Sequence, residues 1–197
     1  MKYAIVFLLC YFLGNINVAF IAGKIFSKSD IRDEGSGNAG SANALRTYGA
    51  KVGLTVLVLD VLKGVVAMLI GRWVTDGAVL GECAAVLGVI VGHIWPVMLR
   101  FKGGKGIATI AGTYLMISPP AMLISLGVAL LTMVVSKMVS LGSVLGVVSL
   151  MVCTFIFTGA GPVAYVTVLV GLIAIFAHRE NIKRIISKEE SKLQFKK

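Results

Sequence analysis

Val52-Gly-Leu-Thr-Val-Leu-Val-Leu-Asp-Val-Leu-Lys-Gly-Val-Val-Ala-Met-Leu-Ile-Gly-Arg72 is a run of apolar residues interrupted only by Asp60 and Lys63 before its closing arginine. About 20 such residues wound as an α-helix cross the roughly 30 Å hydrocarbon core of a bilayer. The same pattern recurs along the chain at Tyr3–Gly23, Ala78–Leu99, Ile107–Ile117, Ala121–Val135, Val144–Phe157 and Pro162–Ala177. Ser118-Pro119-Pro120 separates the fourth run from the fifth. The expectation is an all-α integral membrane protein with seven transmembrane helices, its residues 1–197 forming a single polytopic domain. Several runs are short, which predicts tilt or local thinning of the bilayer. Met1–Phe20 lacks an Ala-x-Ala-type cleavage site and reads as part of the first helix rather than a signal peptide.

Composition agrees. Of 197 residues, 57% are hydrophobic and 14% charged, against about 25% charged in soluble domains. Mean hydropathy is +0.93. The net charge of +10 is clustered between apolar runs, where it serves orientation and contact with anionic lipid headgroups. A nucleic-acid partner would call for a basic stripe with interleaved aromatics, and the chain has none. Cys10, Cys83 and Cys153 sit in apolar runs without C-x-x-C spacing and read as inert buried thiols.

The distribution of Lys and Arg sets the orientation. Lys24, Lys28, Arg32, Arg46 and Lys51 fall in one connection, Arg100, Lys102 and Lys105 in another. Arg179, Lys183, Arg184, Lys188, Lys192, Lys196 and Lys197 follow the last run. The connections Gly71–Gly81, Ser118–Pro120 and Thr158–Gly161 carry only Arg72. The positive-inside rule therefore puts the basic set in the cytoplasm, with the N-terminus outside and the C-terminus inside.

Three polar islands then share one membrane face. Gly35-Ser36-Gly37-Asn38-Ala39-Gly40-Ser41-Ala42-Asn43-Ala44-Leu45-Arg46 combines glycines, short hydroxyl and amide donors and a guanidinium, the parts of an anion site. A flexible linker has the same composition. The lead-in Asp30–Glu34 reads as a solvated surface turn. In the second island, Lys102-Gly103-Gly104-Lys105-Gly106 precedes a helix and offers bare amides and a lysine at a positive helix end. A basic loop obeying the positive-inside rule explains its lysines but not its glycines. It is not a Walker A loop, whose spacing fails. His93, near the cytoplasmic end of its helix, suits packing or function equally. In the third island, His178 and Asn181 lie three apart and share a face if the helix continues, while Arg179, Lys183 and Arg184 complement a helix end. Lys137–Ser143 reads as a turn. Asp60 and Lys63, also three apart, neutralise each other and read as structural.

The chain has no H-x-x-x-x-D acyltransferase box, no G-x-S-x-G elbow, and no His/Cys/carboxylate cluster with metal spacing. Neither a metal nor a cofactor is expected, nor an obligate protein partner.

Ser36-Gly37-Asn38 through Asn43 and Arg46, Gly92-His93 with Phe101-Lys102-Gly103-Gly104-Lys105-Gly106-Ile107-Ala108-Thr109, and His178-Arg179-Glu180-Asn181-Ile182 closely resemble the three motifs of the bacterial acyl-phosphate:glycerol-3-phosphate acyltransferases, the PlsY family. Order, spacing and common face match over nearly the whole chain. Two departures stand out. Ser41-Ala42-Asn43 occupies a position usually read as Ala-Thr-Asn, and Ala177 and Lys188 replace a basic residue and a glycine.

The resemblance implies acyl transfer from acyl phosphate to the 1-hydroxyl of glycerol 3-phosphate, giving lysophosphatidic acid and phosphate. It places the site at the cytoplasmic face of the bacterial inner membrane. Lys105, Arg46, Ser36 and Ser143 are expected to hold phosphate oxygens, Ser143 on resemblance alone. Asn38, Asn43, His178 and Asn181 are expected to place glycerol 3-phosphate, with Gly103 and Gly104 in the binding loop. The hydroxyl proton goes either to His178 or to the acyl-phosphate oxygen, the second being favoured. The competing readings are a small transporter or channel for an organic phosphate anion, which needs a polar path across the membrane, and a lipid-binding scaffold, which does not need Gly-Gly-Lys-Gly.

Overall fold

The computed structural model describes residues 1–192 and consists of helices and their connections. Residues 193–197 lie outside the described residues, and with them Lys196 and Lys197 of the basic tail and the question of that tail's order. The helices group into two compact units, Met1–Met116 and Ile117–Lys197.

The first unit opens with α1 (Lys2–Asn15) and α2 (Val18–Phe26), which together occupy the first expected span. The predicted continuous helix is interrupted at Ile16 and Asn17. Asparagine competes with the helix for backbone hydrogen bonds, and Asn17 wins here: its side chain accepts from the Phe20 amide at 2.8 Å and caps α2. Next come α3 (Ser41–Tyr48), α4 (Ala50–Val74), α5 (Val79–Ile94) and α6 (Ile107–Ile117).

Close helix contact explains the small residues of α5. A Cβ at Gly88 would lie 2.4 Å from the Phe7 carbonyl oxygen, and one at Gly92 would lie 2.1 Å from that of Tyr11. Glycines four apart thus let α1 and α5 touch backbone to backbone, which is how apolar helices gain packing energy in lipid. The Tyr11 hydroxyl donates to the Trp95 carbonyl at 2.9 Å and accepts from the Val97 amide at 3.1 Å. These bonds fix the chain where α5 ends. At the other end of α4, Arg72 pairs with Glu82 at 2.6 Å and donates to the Met116 carbonyl at 2.7 Å.

In the second unit, α7 (Pro119–Ser136) folds back onto α8 (Val139–Thr158) through Lys137 and Met138, with Lys137 in the left-handed region at φ 59°. The turn expected over Lys137–Ser143 is therefore only two residues long, and Ser140 and Ser143 already belong to α8. Then α9 (Pro162–Ala177) and α10 (Arg179–Ile186) meet at His178 with a bend of 59°.

Among the described residues, five helical runs are long and apolar enough to span: Lys2–Phe26, Ala50–Val74, Val79–Leu99, Pro119–Ser136 and Val139–Thr158. The bent pair Pro162–Ala177 and Arg179–Ile186 makes a sixth if counted together. Helix α6 has 11 residues, roughly half a bilayer core at 1.5 Å per residue. Leu8, Leu62, Leu131, Val135 and Leu172 are exposed on these helices, the outward apolar face that lipid requires. Inside, Thr154 and Thr167 return their hydroxyls to carbonyls one turn back at 2.7 Å each, which satisfies them within their own helices. The buried Thr109 hydroxyl of α6, by contrast, has no hydrogen-bond partner among the described residues.

Candidate active site

The first polar island is a shaped loop rather than a linker. Asn43, 1% exposed, donates to the carbonyls of Ile31 at 3.1 Å and Glu34 at 3.0 Å and accepts from the Ser36 amide at 2.8 Å. Its amide group is spent on the loop, so it gives Ser36 its place instead of reaching outward. Ala39 and Ala44 anchor the loop in a cluster with Ala19, Ala22, Ile31 and Val56. The Asn17 side chain donates to the Ala39 carbonyl at 3.0 Å, tying the loop to the break between α1 and α2. Ser36 is exposed and Asn38 half-buried on the loop, and Arg46 is exposed on the last turn of α3.

Asp30 and Arg32 do not form the solvated turn expected from sequence. Arg32 is gripped by Asp30 at 2.6 Å and donates to the Leu99 carbonyl at 2.8 Å. The guanidinium therefore bolts the first island to the second. Its hydrogen bonds are the main reason the Asp30 carboxyl is held below the usual carboxylate range. A cleft of about 420 Å³ opens beside it, lined by Asp30, Arg32, Asp33, Gly37, Arg100, Lys102 and Gly103.

The second island corrects the expectation of bare amides. The Gly103 amide donates to the Ile94 carbonyl and that of Gly104 to the His93 carbonyl, both at 3.1 Å. These are carbonyls left open where α5 ends. What the glycines supply is room: a Cβ at Gly103 would lie 2.1 Å from the His93 carbonyl oxygen, and one at Gly104 would lie 2.2 Å from His93 Nε2. Arg100 and Phe101 both take left-handed conformations, at φ 54° and 60°, which reverse the chain. Lys105, half-buried, then stands one residue short of α6, with Gly106 between.

In the second unit, α9 does not continue through His178, so His178 and Asn181 are not on one continuous helix face. His178, 3% exposed, closes α9 with Nδ1 2.8 Å from the Ala174 carbonyl, which places the ring hydrogen on Nδ1. Asn181 opens α10 and donates to Glu190 at 2.7 Å. Ser140 donates to the same carboxylate at 2.6 Å and Arg184 at 2.8 Å. Ser143 lies buried one turn along α8 from Ser140, its hydroxyl donating to the Val139 carbonyl at 2.9 Å.

Sequence reading missed Glu190, whose only signal was an acid inside a basic tail. Burial pushes its carboxyl up, but the bonds from Ser140, Asn181 and Arg184 outweigh that and hold it below the usual range. A folded pKa below the unfolded one means stabilisation that is present above the unfolded value, about 4.3, and lost as pH falls through the folded one. Glu190→Gln is expected to cost about 1–3 kcal/mol at neutral pH and to flatten the loss of thermal stability on acidification. Melting curves of both proteins between neutral and acidic pH check this; parallel curves would mean that Glu190 is not the group responsible.

Fold and site together define an integral membrane protein with a polar, charge-lined cleft built from loops. Residues 4–188 match the family model described as glycerol-3-phosphate acyltransferase. The chain is 44% identical over 186 residues to the glycerol-3-phosphate acyltransferase of Thermoanaerobacter pseudethanolicus, covering 94% of this chain and 93% of that one. It is 41% identical over 210 residues to that of Clostridioides difficile, covering 100% and 98%. It superposes on the crystal structure of PlsY (YgiH), an integral membrane glycerol 3-phosphate acyltransferase in its glycerol 3-phosphate form, with a TM-score of 0.91 and 32% identity, covering 98% of this chain and 96% of that one. The chain belongs to the glycerol-3-phosphate acyltransferase family.

Proposed function

We propose that the acyl donor is an acyl phosphate and that transfer to the 1-hydroxyl of glycerol 3-phosphate yields lysophosphatidic acid and inorganic phosphate. The observation that carries this reading is the pairing of two glycine-rich loops by Arg32, beside a cleft lined by the cations Arg32, Arg100 and Lys102 together with Asp30 and Asp33, with Ser36, Arg46 and Lys105 outside its lining. Both substrates are phosphate-bearing anions, which such a cleft suits. A mixed anhydride also needs little leaving-group activation, so positioning and charge neutralisation supply most of the rate. A solved relative of 31% identity, described as PlsY in its lysophosphatidic acid form, supports the product.

In this reading Lys105, Arg46, Ser36 and Ser143 hold phosphate oxygens, and Asn38 and Asn181 place the acceptor. Gly103 and Gly104 bring the chain close to α5, and Asn43 acts by fixing Ser36. Counting as crossings the α9–α10 pair and, in a locally thinned bilayer, the short α6 gives seven, which supports an N-terminus outside and the basic connections at the cytoplasmic face of the bacterial inner membrane. The acceptor proton passes to the acyl-phosphate oxygen, with His178 orienting the acceptor hydroxyl. His178→Ala is accordingly expected to raise KM by about tenfold, as loss of one hydrogen bond to a charged substrate would, while lowering kcat less. A kcat loss above about 10⁴-fold with binding intact would instead make His178 the general base.

The experiment for the whole reading uses purified protein in lipid vesicles with acyl phosphate and labelled glycerol 3-phosphate. Lysophosphatidic acid should form without coenzyme A or acyl carrier protein. Product only when an acyl thioester replaces acyl phosphate would overturn the donor assignment.

A further inference from the structure

Asp60, Lys63 and His93 are buried within the first unit, 2%, 6% and 3% exposed, and no step above uses them. The Lys63 ammonium lies 3.0 Å from Asp60 Oδ1, 3.0 Å from the Ile16 carbonyl and 3.0 Å from His93 Nδ1, with the Gly14 carbonyl at 3.4 Å. Gly14 and Ile16 stand where α1 stops short of α2, so their carbonyls are the ones a broken helix leaves open. In a membrane interior an unsatisfied carbonyl costs several kcal/mol, and Lys63 supplies the missing donor. Asp60 then balances its charge.

An ammonium has three hydrogens and accepts none. With its hydrogens directed at the Ile16 carbonyl, the Gly14 carbonyl and His93 Nδ1, and Asp60 Oδ1 beside it as counter-ion, His93 Nδ1 is the acceptor and must be bare. The ring hydrogen therefore sits on Nε2. That edge of the ring is pressed against Gly104, since a Cβ there would lie 2.2 Å from Nε2 and 2.9 Å from the Ala39 carbonyl oxygen. Ala39 belongs to the first polar island, and Gly104 directly precedes Lys105. The helix break, the first island and the Gly103–Lys105 loop thus converge on one imidazole, whose orientation depends on Lys63.

We propose that Lys63, neutralised by Asp60, is a positioning residue that locks His93 in its Nε2–H tautomer and thereby registers the Gly103–Lys105 loop against the first polar island. The registration rests on the reading that Lys105 holds a substrate phosphate; the lock does not. The chain has two histidines, and the structure gives them opposite tautomers, hydrogen on Nε2 in His93 and on Nδ1 in His178.

The test is ¹⁵N spectroscopy of the full chain in lipid with labelled histidine, the signals assigned by their loss in His93→Gln. Wild type should show one ring of each tautomer. The paired variant Asp60→Asn/Lys63→Met removes both charges, so neither is left alone in the interior. It should mix the His93 tautomers, leave the His178 signal unchanged, and lower kcat/KM for glycerol 3-phosphate by roughly 10–100-fold, the scale of a small misplacement at a distance. A wild-type His93 carrying its hydrogen on Nδ1 would overturn the proposal even if the paired variant fails to fold. So would a folded paired variant with wild-type tautomer and kinetics. The expected tautomers in a wild-type protein that transfers no acyl group would uphold the lock and sink the acyl-phosphate reading instead.

Discussion

Lys105→Met is expected to lower kcat/KM for glycerol 3-phosphate by about 10²–10³-fold, the usual effect of deleting one preorganised donor to developing charge. Methionine keeps most of the aliphatic stem and removes the ammonium, so packing of the half-buried side chain is largely retained. The loss should appear in kcat as well as KM, because charge moves onto the departing phosphate during transfer. Lys105→Arg should recover only part of the activity. A guanidinium keeps the charge but presents it as a planar fork on a longer reach, beside a loop whose glycines are already within contact of α5. Acyl transfer measured in vesicles, alongside the melting midpoint of each variant, separates these outcomes. A Lys105→Met protein with wild-type kcat/KM would remove Lys105 from the site.

The helical frame was legible because a bilayer imposes one rule, apolar runs of spanning length, and that rule is written residue by residue. It failed where a local polar group beat the run average. Asn17 stops α1–α2 in mid-span because its side chain caps the next helix, and averaging over 20 residues hides one asparagine. At the site, residue types were legible but their commitments were not. Gly103 and Gly104 promise free amides in sequence, yet the end of α5 claims them. Asn43 promises a substrate contact, yet three loop atoms use its side chain. Arg32 looked solvated because its acceptor, the Leu99 carbonyl, is 67 residues away. The Asp60–Lys63 pair followed from helical spacing, whereas its third member, His93, comes from another helix. Long-range partners of this kind leave no periodicity to read.

Gly104→Ala should be among the more damaging single-methyl changes in the first unit's loops. The new Cβ would meet His93 Nε2 at 2.2 Å, His93 Cδ2 at 3.1 Å and the Ala39 carbonyl oxygen at 2.9 Å. The ring has little freedom to retreat, because its far nitrogen is held by Lys63 at 3.0 Å. Relief must come from the loop, which carries Lys105 away from its place. A shift of about 1 Å suffices for a roughly 100-fold loss of kcat/KM, accompanied by about 1–3 kcal/mol of destabilisation from overpacking. The same substitution at Gly127, in α7 with nothing within 4 Å of the added carbon, should leave kinetics unchanged and stabilise the helix by up to about 1 kcal/mol. Combining Gly104→Ala with Asp60→Asn/Lys63→Met frees the ring, so the combined loss should be smaller than the product of the separate losses. Strict multiplicativity would show that the methyl and the lysine do not act through a shared imidazole.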